Sequence, residues 1–404
     1  MTGPRADVAI VGGGISGLAL AVELTRRAPS LRVEVIERKY TGSGASSRNV
    51  GRIRAMQLTP ELLRLSLAAQ RKHAALPDQL SSNTLFWRAG YAWVLYEVEE
   101  VERMAALVPM FEAEGLRTPS LIRGQQVVRS MPVLRGGEPA AGALVGHDAV
   151  GHHDAVLYAY RRACARQGVT VREHTDVTDL LIEGDHVVGL VTDGVGEIRV
   201  NTVVNATEGW SREISAMAGL DVPNTPVRRE VFVTEPMQPF MRPAITFYRP
   251  VEGWFNQTLR GELVAGVTAA EEPAGLNQGS SFGFLTRTAA TLVAKAPRLG
   301  HLRIIRQWAG VYDMTPDRLP IVGPVDRRPG FVQMNGYSGR GFALAPVIAQ
   351  ELARWLTGDE RPPLLAALDA NRFEGRETGD VLSTDYYAAY AARDSGEDAT
   401  RPDR

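Results

Sequence analysis

The sequence predicts a mixed α/β and α+β fold, in which a domain with a parallel sheet is joined to a second domain built on an antiparallel sheet. Three observations lead to this prediction. Residues 6–39 read as a strand, a glycine turn, a helix and a second strand. Residues 227–267 contain four β-rich runs without intervening helices, as in antiparallel sheets. Residues 330–356 repeat the order of strand, glycine turn and helix. With 404 residues, the chain is long enough for two hydrophobic cores.

The first unit has the pattern of a Rossmann-type dinucleotide site. Gly12, Gly14 and Gly17 form a GxGxxG turn between an apolar strand and a helical apolar pattern. Glycine is needed there because the turn is tight, a pyrophosphate approaches the backbone, and the helix packs closely on the strand. The helix start offers free N–H groups to phosphates. Glu37 ends the second strand, where a carboxylate can accept a hydrogen bond from a ribose hydroxyl. A plain Gly-rich turn is the alternative.

The loop at residues 40–54 is polar and rich in glycine and serine. It carries Arg48, Arg52 and Arg54 together with several hydroxyl groups, which is typical of a loop near an anionic ligand. A solvated surface loop has the same composition, so the residues alone leave both interpretations open.

Shorter elements follow this loop. Thr59 and Pro60 predict a helix start, as N-cap and first helical residue. Residues 85–96 are dense in aromatic side chains and broken by Gly90, which predicts a hairpin. Residues 97–112 predict a helix with acidic residues in its first turn, where the helix dipole favours them.

Two adjacent histidines precede the next predicted helix. His152 and His153 lack the further Cys or His spacing of a metal site, so no metal is predicted. Asp154 predicts the N-cap of a helix at residues 157–167. Residues 169–204 then predict a meander of short strands, with a turn at Asp193-Gly194.

The rest of the chain completes the second sheet and returns to the first. Residues 281–296 predict a helix, and residues 302–308 and 330–334 predict strands. A second glycine turn leads into a helix predicted at residues 346–356. Beyond Gly375 the chain is polar and charged, so residues 376–404 are interpreted as a docking or disordered tail.

Composition, net charge and cysteine count argue against several classes of protein. The formal net charge is −1 and no long basic block is present, which argues against nucleic acid as a partner. The single cysteine, Cys164, excludes an intramolecular disulfide and suits a reducing compartment. No stretch approaches the ~20 apolar residues of a membrane span, and the start of the sequence lacks a secretory pattern. The sequence therefore predicts a cytoplasmic protein.

Taken together, the separated motifs resemble those of the D-amino-acid-oxidase superfamily of FAD-dependent amine oxidoreductases, and most closely the sarcosine oxidase β-subunit group. The resemblance runs to about Gly358 and is carried by four regions in the order usual for that superfamily. They are the GxGxxG turn with Glu37, the loop Ser47 to Arg54, the segment His153-Asp154-Ala155-Val156, and a C-terminal region with Trp308-Ala309-Gly310, Met314-Thr315-Pro316-Asp317 and Gly339-Arg340-Gly341-Phe342.

The resemblance implies a discontinuous FAD domain and a substrate domain with a large antiparallel sheet. The implied FAD domain comprises residues 1–84, 141–222 and 302–375, and the implied substrate domain comprises residues 85–140 and 223–301. The residues implied to bind FAD are Gly12, Gly14, Ile15, Ser16, Gly17, Glu37, Arg38, Ser46, Ser47, Arg48, Asn49, Val177, Ala206, Trp210, Gly310, Gly339, Arg340, Gly341, Phe342 and Ala343.

The implied chemistry is hydride transfer to the flavin from the C–H beside an amine, giving an imine that water hydrolyses. An amino-acid substrate needs a clamp for its carboxylate. The candidates for catalysis and substrate binding are Arg54, Arg52, Tyr312 and Arg340, although these arginines could instead hold FAD or the loop itself. Tyr248, Trp254 and Asn256 could line the pocket from the sheet or belong to the core.

Three departures from the family pattern matter, and so does one match to it at His153. Ala343 stands where sarcosine oxidases commonly have a lysine implicated in oxygen activation, which favours another electron acceptor. No cysteine occurs in the segment 309–312 that tethers FAD in monomeric relatives, so FAD is expected to be non-covalent. His153 matches the residue that carries FMN in the heterotetrameric enzymes, where a partner subunit completes the site. Glu208 lies in a turn that is small and uncharged in relatives.

Competing hypotheses remain at this point. One is a Rossmann dehydrogenase that uses NAD, against which the second glycine turn argues. Another is a β-type subunit that needs a partner chain and holds FMN at their interface. A specialised biosynthetic amino-acid oxidase would use the same parts as an FAD-dependent oxidoreductase that acts on a secondary amine or amino acid.

Overall fold

The computed structural model describes residues 6–116, 119–268 and 272–375, and the tail predicted at residues 376–404 lies outside this part. The strands of the described part are β1 (Val8–Val11), β2 (Val33–Ile36), β3 (Arg52–Ile53), β4 (Tyr91–Leu95), β5 (Ser120–Arg123), β6 (Gly142–Gly146), β7 (Ala149–Val150), β8 (Thr170–Arg172), β9 (Val177–Glu183), β10 (His186–Thr192), β11 (Gly196–Arg199), β12 (Thr202–Asn205), β13 (Thr225–Pro236), β14 (Ala244–Phe247), β15 (Gly253–Gln257), β16 (Glu262–Val267), β17 (Ile304–Met314), β18 (Ile321–Pro324) and β19 (Phe331–Asn335).

The α-helices of the same described ranges are α1 (Ile15–Arg27), α2 (Pro60–Leu80), α3 (Val98–Ala113), α4 (Gln125–Ser130), α5 (His153–Arg166), α6 (Ser211–Met217), α7 (Phe282–Lys295) and α8 (Gly341–Leu356). Within these ranges, no helix is long and apolar enough to cross a membrane.

The first sheet is the predicted Rossmann-type layer. Its six strands run in the order β18-β19-β12-β1-β2-β8, and every neighbouring pair is parallel except β18 and β19. β1 lies near the middle and all four of its residues are buried. Helices α1 and α8 pack on each other, and α5 packs on α1, so apolar side chains of these helices and of the sheet form one core. The N-termini of α1 and α8 are thereby brought to the same side of the molecule.

The second sheet is the predicted antiparallel layer, and it recruits strands from distant parts of the chain. Its eight strands run in the order β17-β13-β16-β15-β14-β4-β6-β5, and only β14 and β4 pair in parallel. β13 and β17 are the long pair, in register from Thr225 opposite Met314 to Val233 opposite Arg306, with a shift before Thr234 opposite Ile304. One end of this pair reaches the first sheet, which places its side chains near the cofactor turn.

The division of the chain into two domains stays a prediction, and the sheets refine it. β6 and β17 fall in segments predicted for the FAD domain, yet both pair in the eight-stranded sheet. A separate sheet of β11, β10 and β9 is antiparallel, and its second hairpin turns at the predicted Asp193-Gly194. The predicted meander is therefore correct for these three strands, whereas β8 and β12 belong to the parallel sheet.

Two local predictions are wrong. Residues 85–96 do not form a hairpin, because β4 is a single strand that pairs with the distant β6 and β14. Asp154 is not the N-cap of α5, since the helix begins at His153 and His152 is the capping residue. Asp154 lies in the first turn of α5, where the helix dipole still stabilises a carboxylate.

Among the predicted helix starts, that of α5 at residue 157 is four residues late and that of α8 is also late, whereas that of α2 is correct. Thr59 caps α2 as expected, its Oγ1 accepting from the Leu62 N–H at 3.2 Å. Helix α8 begins at Gly341, five residues before the predicted start at Pro346. Proline lacks the N–H that would bond to the Phe342 carbonyl. The His73 Nε2 from α2 lies 3.1 Å from that carbonyl oxygen, so a side chain replaces the missing helical donor.

Candidate active site

The glycine turn after β1 needs its glycines for close approach. Gly12 has a φ of +110°, and a Cβ at this position would lie 2.6 Å from the Ala206 carbonyl oxygen. A Cβ on Gly17 would lie 2.1 Å from the Gly12 carbonyl oxygen. The turn thus passes directly beside the end of β12, and α1 packs tightly on the turn. The Ile15 N–H at the start of α1 donates to the Ser46 Oγ at 2.9 Å.

Glu37 ties the glycine turn to the loop after β2. Its Oε2 accepts from the Gly13 N–H at 2.8 Å, and its Oε1 accepts from the Lys39 N–H at 2.9 Å and from the Ser43 hydroxyl at 3.1 Å. The carboxylate is buried and lies on the wall of a cavity. Its predicted role with a ribose hydroxyl stays a prediction.

Two adjoining cavities begin at this turn. We call the first the nucleotide cavity, which lies between the glycine turn, β9 and α6. We call the second the arginine cavity, which lies between the loop 45–57, the eight-stranded sheet and the start of α8. Both are lined by Ser16, Ala45, Ser46 and Glu208, so they form one elongated cleft.

Most of the predicted cofactor residues line this cleft. On the nucleotide cavity lie Gly12, Gly14, Ser16, Glu37, Arg38, Ser46, Val177, Ala206 and Trp210. On the arginine cavity lie Ile15, Arg48, Asn49, Gly310, Gly339, Arg340, Gly341, Phe342 and Ala343. Val177, which the resemblance implies to bind FAD, is the first residue of β9. Gly17 and Ser47 lie outside both cavities, and the missing side chain of Gly17 serves helix packing instead.

Arg52 is the most constrained cation of the arginine cavity. Its guanidinium donates to the Asn256 Oδ1 at 3.1 Å, the Thr246 Oγ1 at 2.9 Å and the Ile245 carbonyl at 3.2 Å. It also lies 4.7 Å from the centre of the Trp254 ring. All these partners are neutral, and burial lowers the pKa of Arg52. In the described residues no carboxylate pairs with it, which leaves its charge available to an anionic ligand.

Arg54 lies beside Arg52 on the same side of the short strand β3. Its Nη1 donates to the Tyr91 hydroxyl at 3.2 Å. The Tyr91 ring is flanked by both guanidinium groups, at 5.4 Å from Arg52 and 5.6 Å from Arg54. Each guanidinium therefore makes a cation–π contact with this ring. After burial, which is the larger cause, the charge of Arg54 also lowers the pKa of Arg52.

Tyr312 and Arg340 close the cavity from β17 and from the start of α8. Burial raises the pKa of Tyr312, so its phenol is neutral and can donate a hydrogen bond. A Cβ on Gly339 would lie 2.3 Å from the Tyr312 ring, which shows how closely the glycine turn packs on it. Arg340 donates from Nη1 to the Arg318 carbonyl at 3.1 Å, a contact that holds its own turn.

Sequence reasoning missed several cavity residues. Arg229 on β13 lies 5.7 Å from the centre of the Tyr312 ring, and Glu252 precedes β15 on the same wall. Six arginines and three glutamates line the arginine cavity, so its wall carries more basic than acidic side chains. In the sequence, these residues look like ordinary polar residues of a strand. Only the way the strands pair, as β13 does with β17, shows that they face the cavity. Of the three residues that could line it from the sheet, Tyr248 and Trp254 do so, whereas Asn256 is buried behind the wall and accepts from Arg52.

His153 lies away from this cleft. It is the first residue of α5, its ring is stacked 5.2 Å from that of His152, and its side chain is 20% exposed. Burial lowers the pKa of His153. The structure therefore separates His153 from the cofactor cleft, and its predicted role with FMN stays a prediction.

The cleft suits an elongated dinucleotide. The N-terminus of α1 has no acidic residue in its first turn and faces the junction of the two cavities, as a pyrophosphate requires. Glycines remove the side chains that would fill the cradle. Fold and site together are those of a Rossmann-type dinucleotide-dependent enzyme.

Comparison with known proteins names the family. A family model described as DAO, FAD dependent oxidoreductase, matches residues 7–355. The chain belongs to this family and is an FAD-dependent oxidoreductase, as the sequence resemblance predicted.

Its relatives include proteins named for the oxidation of amines and amino acids. The sarcosine oxidase subunit beta of Rhodobacter capsulatus is 29% identical over 376 residues, covering 92% of this chain and 89% of the relative. The hydrogen cyanide synthase subunit HcnC of Pseudomonas aeruginosa is 26% identical, covering 91% of this chain and 96% of the relative. The crystal structure of L-proline dehydrogenase from P. horikoshii matches with a TM-score of 0.85 and 26% identity, covering 92% of this chain and 99% of that structure.

Proposed function

We propose that this enzyme oxidises the C–N bond of a secondary amine or amino acid, of the sarcosine, proline or opine type, to an imine. The observation that carries the proposal is Arg52, a half-buried guanidinium whose partners among the described residues are all neutral, on the wall of the cavity that adjoins the nucleotide cavity. The relatives named for sarcosine and proline support the same substrate class.

Different residues of the arginine cavity contact different parts of the substrate. Bound FAD supplies the acceptor for the hydride. Arg52 or Arg54 holds the substrate carboxylate through charge-assisted hydrogen bonds, which are the strong ones in a buried site. The neutral Tyr312 hydroxyl donates a further hydrogen bond, and the rings of Tyr91 and Trp254 exclude water around the C–N bond. This chain thus contributes the orientation of the substrate and the exclusion of water from the reacting bond.

FAD is proposed to be non-covalent. Cys164, the only cysteine of the sequence, lies buried on α5 with its Sγ 3.8 Å from the Leu18 carbonyl oxygen, and it is absent from the walls of both cavities. Burial raises its pKa to about 12, which further reduces its reactivity. Ala343 on the cavity wall favours an electron acceptor other than oxygen, so dehydrogenase activity is proposed ahead of oxidase activity.

Anaerobic mixing with a panel of amines tests the proposal. The purified flavoprotein is mixed with N-methyl amino acids, proline, N-carboxyalkyl amino acids and simple amines, and bleaching of the flavin absorbance is followed. Bleaching by secondary amino acids, without oxygen or any other acceptor, is the expected result. If only primary amines or none of the panel bleach the flavin, the proposed substrate class is wrong.

A second candidate is a β-type subunit that also holds FMN at His153 against a partner chain. The names of two relatives as subunits favour it, and so does the partly exposed, stacked His153 at the start of α5. A specialised biosynthetic oxidation would use the same cavity. Copurification of a second chain and two flavins per complex would support the subunit, whereas a single chain with one FAD that turns over an amine would contradict it.

A further inference from the structure

Glu208 occupies an unusual position at the junction of the two cavities. It follows β12, lines both cavities, and adopts a φ of +50°, a backbone conformation that is costly for a residue with a side chain. A glycine in place of Glu208 would adopt this backbone conformation without strain. The strained residue thus stands where the two cavities meet, and it brings a titratable side chain to this junction.

The side chain of Glu208 holds the turn between β19 and α8. Its Oε2 accepts from the Gly336 N–H at 3.1 Å and from the Tyr337 N–H at 3.4 Å. Its Oε1 would lie 3.0 Å from a Cβ on Gly341, the first residue of α8. The turn that it holds leads to Gly339 and Arg340 on the wall of the arginine cavity.

A second carboxyl group shares the same donor. The Asp313 Oδ2 accepts from the Gly336 N–H at 3.0 Å, and also from the Asn224 Nδ2 at 2.7 Å and the Ser211 hydroxyl at 2.8 Å. Asp313 is 1% exposed. Two carboxyl oxygens therefore converge on one N–H group in a buried place.

In the part of the chain that the structure describes, no cation forms an ion pair with either carboxyl group. Within the described residues, neither Glu208 nor Asp313 has a lysine, arginine or histidine nitrogen within 4.0 Å. The other titratable or charged groups near the pair are Tyr337, which faces Glu208, and Arg212 of α6, whose charge reaches Asp313 weakly. Burial raises the pKa of both carboxyl groups, that of Asp313 to about 7, and the charge of Asp313 raises the pKa of Glu208 further.

We propose that Glu208 is a positioning residue that is held as a neutral carboxylic acid by its neighbour Asp313, and that its neutrality is required for FAD to stay in the cleft. The pyrophosphate of FAD carries negative charge and belongs at the N-terminus of α1, beside Ser16, on the same junction that Glu208 lines. An ionised Glu208 would repel this group in a site of low dielectric constant. A neutral acid instead accepts from the turn with one oxygen and can donate from the other.

The test compares FAD retention across pH in the wild-type holoenzyme and in Glu208→Gln, a neutral variant of the same shape. The FAD dissociation constant is measured from flavin fluorescence on dilution, between pH 6 and pH 10. We expect the wild-type constant to rise with pH, by up to about tenfold per pH unit once Glu208 ionises, whereas that of Glu208→Gln changes less than about twofold. Parallel profiles, whether rising or flat, would overturn the proposal.

Two further variants sharpen the comparison. Asp313→Asn removes the charge that keeps Glu208 protonated, so its loss of FAD should begin at a lower pH than in the wild type. Glu102→Gln, an exposed position on α3, is the matched control and should follow the wild-type profile. A shift of the Asp313→Asn profile to higher pH would contradict the coupling of the two carboxyl groups.

Infrared spectroscopy tests the protonation state without relying on FAD affinity. The difference spectrum of wild-type holoenzyme minus Glu208→Gln at pH 7 should contain the C=O stretch of a protonated carboxylic acid. A pair of carboxylate bands in its place would show that Glu208 is ionised and would overturn the proposal.

Discussion

Arg52 and Arg54 differ at the level of single contacts, although the sequence presents them as equivalent. Arg52 is fixed by three neutral acceptors and lies on the Trp254 ring, whereas Arg54 contacts Tyr91 and Gln57 near the wall of the cavity. Because Arg52 also joins the loop to the eight-stranded sheet, its removal would disturb structure as well as binding. Arg54 is therefore the better position at which to test carboxylate recognition.

Replacing Arg54 by alanine should weaken binding of amino-acid substrates much more than binding of neutral amines. A hydrogen bond to a charged group contributes roughly 1.5–3 kcal/mol, so KM for amino acids should rise about 10- to 100-fold. Steady-state kinetics on matched acid and neutral substrates provides the measurement. Arg64→Ala, at an exposed arginine of α2, is the control and should leave both KM values unchanged. Equal effects of Arg54→Ala on both substrate types would refute the carboxylate role.

Gly339→Ala should damage the site, because the new Cβ would meet the Tyr312 ring at 2.3 Å on a backbone with φ of +82°. Gly358→Ala is a matched control, since Gly358 also has a positive φ, +107°, but no atom within 4 Å of a new Cβ. The control should lose about 1–2 kcal/mol of stability from backbone strain alone. Gly339→Ala should lose more and should also raise KM. Urea unfolding and kinetics check this, and equal losses in both variants would contradict it.

At the scale of elements, α8 depends on a side chain from another helix. Pro346 interrupts its hydrogen bonding at the Phe342 carbonyl, and the His73 Nε2 lies 3.1 Å from both the Phe342 and the Ala343 carbonyl oxygens. Both neighbours are acceptors, so Nε2 carries the proton and donates. His73 is 1% exposed, and burial lowers its pKa to about 4. The first turn of α8, which lines the arginine cavity, is thus held by a neutral histidine.

The stability that His73 provides should depend on pH. Its pKa is about 4 in the folded state and about 6.5 when unfolded, so the unfolded state binds more protons between these values. Stability from this group is therefore fully present above pH 6.5 and is lost as pH falls toward 4, by roughly 3 kcal/mol in total. We expect the destabilisation caused by His73→Gln to shrink by about 2 kcal/mol between pH 7 and pH 5.

Urea unfolding of both proteins at each pH measures this effect. Comparing the variant with the wild type cancels other titrating groups, such as the buried Asp148, whose pKa burial raises to about 6. A difference between the two proteins that is constant from pH 7 to pH 5 would show that His73 does not titrate as proposed.

At the scale of the whole molecule, the cofactor cleft lies between the two large sheets. The nucleotide cavity is built on the six-stranded sheet, and β13, β15 and β17 of the eight-stranded sheet supply walls of the arginine cavity. FAD bound along the cleft would therefore contact both layers and connect them. Bound FAD should therefore stabilise the whole folded molecule and not one sheet alone.

Removing FAD should lower the melting temperature in a concentration-dependent way. A ligand at 100 times its dissociation constant stabilises the folded state by about 2.7 kcal/mol. Thermal melting of the apoprotein with increasing FAD measures the effect. Riboflavin lacks the pyrophosphate and adenylate that the nucleotide cavity suits, so it should stabilise much less at the same concentration. Equal stabilisation by both compounds would argue against the role of the nucleotide cavity.

The sequence by itself determined the parts whose causes are local. The strands at Val8–Val11 and Val33–Ile36 follow from short apolar runs, and the glycine turn between them follows from sterics. The four runs of the second sheet and the N-cap at Thr59 were equally readable, because periodicity and capping act over a few residues.

The tertiary structure decided everything that depends on which distant segments meet. It joined β4 to β14 rather than to a local hairpin, brought Arg229 to the cavity, supplied His73 to the helix that Pro346 interrupts, and set Glu208 beside Asp313. Such contacts join residues that are far apart in the chain, so no local pattern encodes them. Burial between two sheets then determines which charges remain available to a ligand and which carboxyl groups keep their protons.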